Sequence, residues 1–593
     1  MQIATKLKRA PTIKGGEIIT RLLKTEDVDQ IFGIIDGTYF GFYESFRRHD
    51  VQLTTPRHES CAVHMAGAYA RLTGRLGVCM ASNGPGVANA LPGVAVAQAE
   101  GNRVLLITSS RRTGISYPER GGTFQYFPQT QVIGAMSKLS IAVPSVERLA
   151  ELTRKALRAC WSGRPGLVHL DVPESVMNGV VEIDERWFRA AGMSRVTAPM
   201  AVSAAQVTEA VAMLKRAKRP LIHAGSGVLH AGAFAQLEAL SEALEAPLTT
   251  SWAARATVDE RHPNSLSMCY VGPLKQARNE ADLVLVLGSR LGETDFWGKA
   301  PYWAKPDDQL VIQVDIDGDV IGNNRPVDLA IQADVGVFLD AVLAEQKRGP
   351  LAPARAERTK WLERLRKAKA KRRAQLDKFL KKDTLPLHSS HVSGTCQAVL
   401  GDDTVLVIDG GNTAIWGNFF WEVRTHNSVI TTPKMGMLGA GVSQAVAAKV
   451  ARPNAPVVCI IGDGAMAFHQ QEVETAVRNE LNVIWVVLCD KQWGMVKMNQ
   501  QFNLKPLKTL LTKRLSAEET INADLHEIAF DQLGRAMGAH GERVADAAGL
   551  RSALQRCVLS GKPAVVHVDV DPVAHLWAPE LKTFQDMHAE PAG

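Results

Sequence analysis

A chain of 593 residues is longer than one hydrophobic core organises, so two to four domains are expected. With 46% hydrophobic and 22% charged residues, the composition is that of a folded globular protein and excludes a disordered or fibrous one. The net charge of +7 is small for this length, and no aromatic-interleaved basic stripe accompanies it, which argues against nucleic acid as a partner.

The opening stretch, Met1 to Ala10, lacks the apolar run of a signal peptide. No stretch of about 18 apolar residues follows, so a cytoplasmic protein without a membrane span is expected. Short apolar runs then alternate with amphipathic stretches, the pattern of βα units around parallel sheets. In the first block, Arg57-His58-Glu59 leads into an Ala/Gly-rich helical stretch over 64–74. Strands are predicted at 76–82, 103–109 and 166–172, and the first feeds the turn Asn83-Gly84-Pro85-Gly86. A carboxylate opening a helix is favoured by the helix dipole, so Glu59 taken alone says no more than that.

The second block begins after the linker near Arg189, with strands predicted at 220–224, 283–288 and 310–315. The stretch 354–382, dense in Lys, Arg and Leu and without Gly, reads as a solvated basic helix connecting two blocks. The third block starts near Leu385, with strands at 405–408, 456–461, 482–488 and 564–570. Its first strand runs into Asp409-Gly410-Gly411-Asn412-Thr413 and its second into Gly462-Asp463-Gly464-Ala465. Small residues at such turns let backbone amides at a helix start approach a phosphate. Asp463 offers a hard anionic oxygen, Asp490 at the next strand end a second, and the Gln492 carbonyl a third. Neighbouring parallel strands thus present oxygen ligands at their carboxyl ends, where α/β sheets bind ligands. Oxygen-only ligation suits Mg²⁺ better than Zn²⁺. The eight cysteines are scattered without a CxxC pair, which reads as buried, reduced thiols. The first and third blocks are alike in size and pattern, so two related α/β domains flanking a different one are expected.

Taken together these motifs resemble the acetohydroxyacid synthase (acetolactate synthase) family of thiamine-diphosphate-dependent enzymes, from about Lys14 to Val570. The resemblance rests on Arg57-His58-Glu59, the Gly84 turn, Gly121-Gly122-Thr123-Phe124-Gln125, Met136-Ser137-Lys138 and the stretch 162–173. It continues in the Gly-Asp-Gly at 462–464, followed at the family's spacing by Cys489-Asp490 in place of Asn-Asn. It implies three doubly wound parallel-sheet α/β domains: pyrimidine-binding (1–189), central (190–350) and diphosphate- and Mg-binding (385–593), with a linker at 351–384. It implies that Glu59 hydrogen-bonds the aminopyrimidine of the cofactor, so that the cofactor's own amino group takes the thiazolium C2 proton. Gln125 and Lys138 match positions lining the substrate channel. Gly84, Gly411, Asn412, Thr413, Gly464 and Ala465 match cofactor-binding positions. Met437 and Leu438 lie in the family stretch whose bulky apolar residue, here Leu438, props the bent cofactor. Asp463, Asp490 and Gln492 are the implied Mg²⁺ ligands, and active sites shared between the subunits of a homodimer or homotetramer are implied as well.

The implied activity is that of a C–C bond lyase or carboligase acting on a small-molecule 2-oxo acid or related carbonyl compound. The family's central domain carries FAD in synthases and ADP in CoA-dependent relatives. Here Tyr270-Val271-Gly272 stands in place of the flavin-lining Met-His-Gly, and FAD, ADP or neither remains open. Asn499 stands where synthases place a Trp that helps choose the acceptor. The alternative is a 2-hydroxyacyl-CoA lyase or oxalyl-CoA decarboxylase type, with Lys505, Lys508, Lys513 and Arg514 facing the CoA. A Rossmann dehydrogenase is the remote alternative, since no GxGxxG opens a βαβ unit.

Overall fold

The computed structural model describes residues 11–353 and 355–588. The opening segment up to Ala10, and Ala354 at the head of the basic stretch, lie outside the described residues. The chain forms two compact units that meet in sequence at Ala198 and Pro199.

The first unit holds a six-stranded parallel sheet in the order Gln52–Thr54, Gln30–Gly33, Gly77–Ala81, Val104–Ser110, Leu167–Pro173, Leu139–Ala142. The middle strands are buried at every position, which is why they read as continuous apolar runs rather than alternating ones. Thr12–Lys14 and Val180–Glu182 pair antiparallel in a separate two-stranded ribbon.

The second unit holds two more parallel sheets. One runs Ser265–Leu266, Leu248–Thr250, Pro220–Ala224, Leu283–Leu287, Leu310–Asp315, Leu329–Gln332. The other runs Val429–Ile430, Val405–Asp409, Val457–Gly462, Val483–Cys489, Ala564–Asp569, His540–Val544. Numbered within each sheet by chain order, the first and last sheets share one strand order, 2-1-3-4-6-5, whereas the central sheet is 3-2-1-4-5-6. The similarity of the outer blocks is therefore topological as well as compositional. In all three sheets the order reverses beside the first strand, and that switch point is where open α/β sheets hold ligands.

The helix Arg355–Leu376 corrects the expectation of a solvated connector. It buries Trp361 and Leu365 in a cluster with Leu221, Val284 and Val311 of the central sheet. Arg358, 0% exposed, donates to the carbonyls of Leu214, Ala217 and Leu244, oxygens at the ends of two helices that have no intrahelical donor. Only the opposite face of this helix is charged and wet. A buried ion pair, Arg255–Glu260, ties the central sheet's segment to the third sheet through Asn418 Oδ1 and the Trp421 carbonyl. Among the described residues, no helix is long and apolar enough to cross a membrane.

Candidate active site

In the first unit, His58 caps the helix Glu59–Thr73 by accepting from the Ser60 amide through Nδ1 at 3.2 Å. The cap sets Glu59 as the first helical residue, with its carboxylate free to reach sideways. Its Oε2 accepts from Asn89 Nδ2 at 3.1 Å, Asn89 lying on the helix Pro85–Glu100. Between them runs the turn after Gly77–Ala81. Gly84 there has φ 65°, and a Cβ on it would stand 2.5 Å from the Gln125 carbonyl oxygen. A Cβ on Gly86 would press to 3.3 Å on Glu59 Oε1. Gln125 Oε1 accepts from Asn83 Nδ2 at 3.2 Å. Glu59, the Gly84 turn and Gln125 are thus brought together at the carboxyl end of the sheet.

Lys138 is not brought there. It precedes the strand Leu139–Ala142, and its backbone amide pairs with Leu167 at the start of the neighbouring strand. Its ammonium donates to the carbonyls of Ala159 and Ser162, at the end of the helix Leu149–Trp161. In a parallel sheet this is the amino-terminal edge, so Lys138 serves as a helix cap there and does not line a channel with Gln125.

In the second unit, two turns flank the switch point of the last sheet. Gly410, with φ 98°, starts the helix Gly411–Phe420. Asn412 on its first turn is 3% exposed, and neither its Nδ2 nor its Oδ1 has a partner. A buried amide left open at both ends costs about 1–3 kcal/mol, so something outside the chain is expected to fill it. Thr413 Oγ1 lies 3.3 Å from His575 Nε2, and burial depresses His575 to about 3, keeping the ring neutral.

On the other side of the switch point, Asp463 opens the helix Asp463–His469. Its Oδ1 accepts from the Gly464 amide at 2.7 Å and its Oδ2 from the Lys491 amide at 2.8 Å, so one carboxylate ties two strand ends together. Asp490 is 7% exposed, and its acidity is held well below the usual carboxyl strength, first by burial and then by the Asp463 charge. Gln492 Nε2 donates to Asp490 Oδ2 at 3.4 Å and to the Pro572 carbonyl at 3.1 Å. A Cβ on Gly494 would lie 2.9 Å from Asn412 Nδ2 and 3.5 Å from Asp490 Oδ2, so Asn412 and Asp490 flank one small residue. A Cβ on Gly464 would strike the Trp493 ring at 2.7 Å; Ala465 is buried beside it. Among the described residues, no group of three or more His, Cys, Asp or Glu forms a metal cage. The protein therefore offers a cation the carboxylates of Asp463 and Asp490 with the carbonyl of Gln492 nearby in the chain, and further ligands would have to come from a bound group.

Leu438, half-buried like Met437 before it, lines a cleft of about 310 Å³ with Asp409, Gly410, Gly411, Met495 and Asn499. Asp409, which opens the glycine turn read from the sequence but was given no role there, also lines this cleft. Burial raises it to about 6, while the Gly441 amide donates to its Oδ2 at 2.8 Å. Asn89 and the far walls of the cleft, Trp252 and Phe584, were likewise missed; only folding brings them in.

In the central sheet, the turn Gly225-Ser226-Gly227 after the strand Pro220–Ala224 does not fit a phosphate cradle. Its Gly225 and Gly227 amides donate to the Leu287 and Gly288 carbonyls at 2.8 and 3.1 Å, and a Cβ on Gly225 would lie 2.2 Å from the Gly288 oxygen. The glycines are used for strand-to-strand approach, which gives FAD or ADP no support.

Three family models match the chain in order: the thiamine pyrophosphate enzyme N-terminal TPP binding domain over residues 13–133, the central domain over 207–342, and the C-terminal TPP binding domain over 409–568. Among curated relatives, a probable acetolactate synthase large subunit of Methanocaldococcus jannaschii is 27% identical over 574 residues, 95% of this chain and 93% of that protein. The acetolactate synthase isozyme 2 large subunit of Escherichia coli is 29% identical over 573 residues, 95% of this chain and 97% of its own. Human 2-hydroxyacyl-CoA lyase 1 is 27% identical over 583 residues, 97% of this chain and 96% of that protein. With glycine turns at the carboxyl ends of two like sheets, and all three domain models matched in sequence, the chain belongs to the thiamine pyrophosphate enzymes.

Proposed function

We propose that the protein is a thiamine-diphosphate- and Mg²⁺-dependent carboligase or decarboxylase that cleaves a C–C bond next to a carbonyl, on a 2-oxo acid. The observation that carries this reading is the buried, unpartnered Asn412, which flanks Gly494 together with Asp490, while Asp463 on the neighbouring strand end ties in through the Lys491 amide. The stretches 1–189, 190–350 and 385–593 take the pyrimidine-binding, central and diphosphate-binding roles, and 351–384 links the last two. The working form is a homodimer or homotetramer with active sites shared between subunits, in the cytoplasm.

When bound, thiamine diphosphate supplies an acidified carbon that adds to a carbonyl and an electron sink for the bond that breaks. Glu59 holds and returns a proton at Oε1, while Asn89 fixes Oε2 and so the carboxyl's direction. Gln125, anchored by Asn83, presents its amide to the substrate oxygen. Asp463 and Asp490 hold Mg²⁺ together with Gln492, and the ion offsets the charge of two adjacent carboxylates. Asn412 and Thr413 donate to diphosphate oxygens, as do the amides opening the helices Gly411–Phe420 and Asp463–His469. Gly84, Gly464 and Ala465 keep the backbone close enough for these contacts, and Met437 and Leu438 support the apolar middle of the cofactor.

The likeness to 2-hydroxyacyl-CoA lyase 1 favours one second reading, a CoA-thioester substrate. Lys505 and Lys508 are engaged by Glu519 at 2.9 and 2.6 Å, so Lys513 and Arg514 carry what remains of the basic segment for it. Mass spectrometry of small molecules released from the purified protein, followed by turnover assays with pyruvate, longer oxo acids and CoA thioesters, tests both readings. Recovery of no thiamine diphosphate, with no binding on addition, would refute the first.

A further inference from the structure

The cleft of about 310 Å³ does not end at the cofactor turns. It runs from Asp409 and Gly411 past Met495 to a wall formed by Trp252, Phe584 and Met587. Behind that wall lies a second cavity of about 30 Å³, bounded by Val271, Leu274 and Phe296. Trp252, Thr294, Phe584 and Met587 line both spaces, so the same side chains are the partition between them. The partition is an aromatic pair: the Trp252 and Phe584 rings meet edge to face, 5.1 Å apart at 64°. Both are half-buried and pack on the cluster that holds Cys269, Phe419 and Phe420, and the Phe584 ring also meets Phe419 edge to face at 6.4 Å.

The chemistry on either side of the pair is apolar. The cations near the inner cavity are engaged elsewhere: Arg278 is tied to Asp295 at 3.2 Å, and the Lys275 ammonium sits over the Tyr302 ring at 4.7 Å. The helix that carries Phe584, Leu581–Met587, is pinned to its surroundings by Arg372–Glu580, Tyr302–Asp586 and His588–Glu293 contacts of 2.5, 2.9 and 2.7 Å. With the helix held, the sizes of the Trp252 and Phe584 rings set how thick the wall is. An inner space of about 30 Å³ is the share of one water molecule, too small for a ring and suited to the end of a slim chain.

We infer that the inner cavity is a subsite for the unbranched apolar chain of the substrate, and that Trp252 and Phe584 are specificity-determining residues that set how long that chain is. The inference rests on the reading of the reaction given above, because it assigns the cleft's outer end to the reacting carbonyl. Substrates whose chain stops short of the aromatic pair gain nothing from the inner space; longer ones gain contact with each methylene that passes it.

The experiment uses full-length, cofactor-loaded protein and two ligand series. Straight-chain primary alcohols of rising length, titrated by calorimetry, probe the cavity without needing turnover; straight-chain 2-oxo acids of matching lengths report kcat/KM. Affinity is expected to rise about fourfold per buried methylene up to a break, beyond which added carbons give no gain. Phe584→Ala is expected to move the break outward by two or more carbons in both series, and Phe584→Trp to move it inward. Trp252→Phe gives an independent outward shift, which keeps the test intact if one variant fails to fold. A break at the same length in wild type and every folded variant would overturn the inference, with the oxo acids still turned over. A break that moves for the alcohols while no oxo acid is turned over would instead sink the reading of the reaction and leave the subsite standing.

Discussion

Replacing Asp409 by Asn isolates the cost of one buried charge. Asp409 ends the strand Val405–Asp409, 5% exposed, and burial raises it from 3.8 to about 6. A carboxyl whose folded value is raised binds its proton more tightly in the folded chain, so its contribution is complete at low pH and is lost as pH climbs from about 4 through 6. Two pKa units at 1.36 kcal/mol each make that loss about 3 kcal/mol at pH 7 and above. Asn keeps a carbonyl oxygen for the Gly441 amide, 2.8 Å away in the wild type, and carries no charge to desolvate. For a unit as long as Pro199–Gly593, at about 2.1 cal/mol/K per residue, 3 kcal/mol corresponds to a melting shift of about 3–4 °C. Differential scanning calorimetry of cofactor-free protein at about pH 4, 6 and 7.5 measures it. The Asp409→Asn variant should melt about 3–4 °C above wild type at the highest pH and level with it at the lowest. A gap of the same size at all three values would show that packing, not ionisation, separates the two proteins.

Four further outcomes are expected. Glu59→Gln should keep the cofactor bound yet slow hydrogen–deuterium exchange at its C2 by about 10²–10⁴-fold; exchange at the wild-type rate would remove Glu59 from the mechanism. Asp463→Ala should abolish retention of Mg²⁺ and thiamine diphosphate on gel filtration, whereas Asp490→Asn should retain both, since the amide oxygen still ligates and one of two crowded charges is gone. Asn412→Ala should weaken cofactor binding about tenfold or more, because hydrogen bonds to charged groups are worth about 1.5–3 kcal/mol, yet leave the cofactor-free melting point in place; a large melting loss would give Asn412 a structural role. With pyruvate alone, Mg²⁺ and thiamine diphosphate, acetolactate formation should be slow, because Asn499 leaves the acceptor side open; rapid formation would refute that reading.

What could be read along the chain was what repeats locally. Long central strands such as Val457–Gly462 and Leu283–Leu287 show themselves by unbroken apolar runs, and their glycine turns show themselves by following such runs. Short edge strands are harder: Leu329–Gln332 alternates buried and exposed residues, Gln52–Thr54 is three residues long, and tertiary pairing makes both. Lys138 was misplaced because nearness along the sequence does not say at which end of a parallel sheet a residue emerges. The basic helix deceived in the same way, since Arg358, Trp361, Leu362, Leu365 and Leu376 are few among many charges, yet they form its inward face. Trp252 and Phe584 lie far apart in sequence, and no motif connects them; only the folded second unit makes them neighbours.

The eight thiols give the molecule a built-in clock. All eight cysteines are buried and outside any disulfide, and burial pushes Cys160, Cys396 and Cys557 up to about 12, so almost none of these three is thiolate at neutral pH. Alkylating reagents attack thiolates, which makes each modification a record of a local opening rather than of surface exposure. Cys61, Cys79 and Cys160 lie in the first unit and the other five in the second. Peptide mapping of a timed maleimide exposure would therefore give two separate opening rates from a single unaltered chain. Adding thiamine diphosphate should slow the labelling of Cys489, which neighbours Asp490, more than that of Cys557 on a helix away from the switch point.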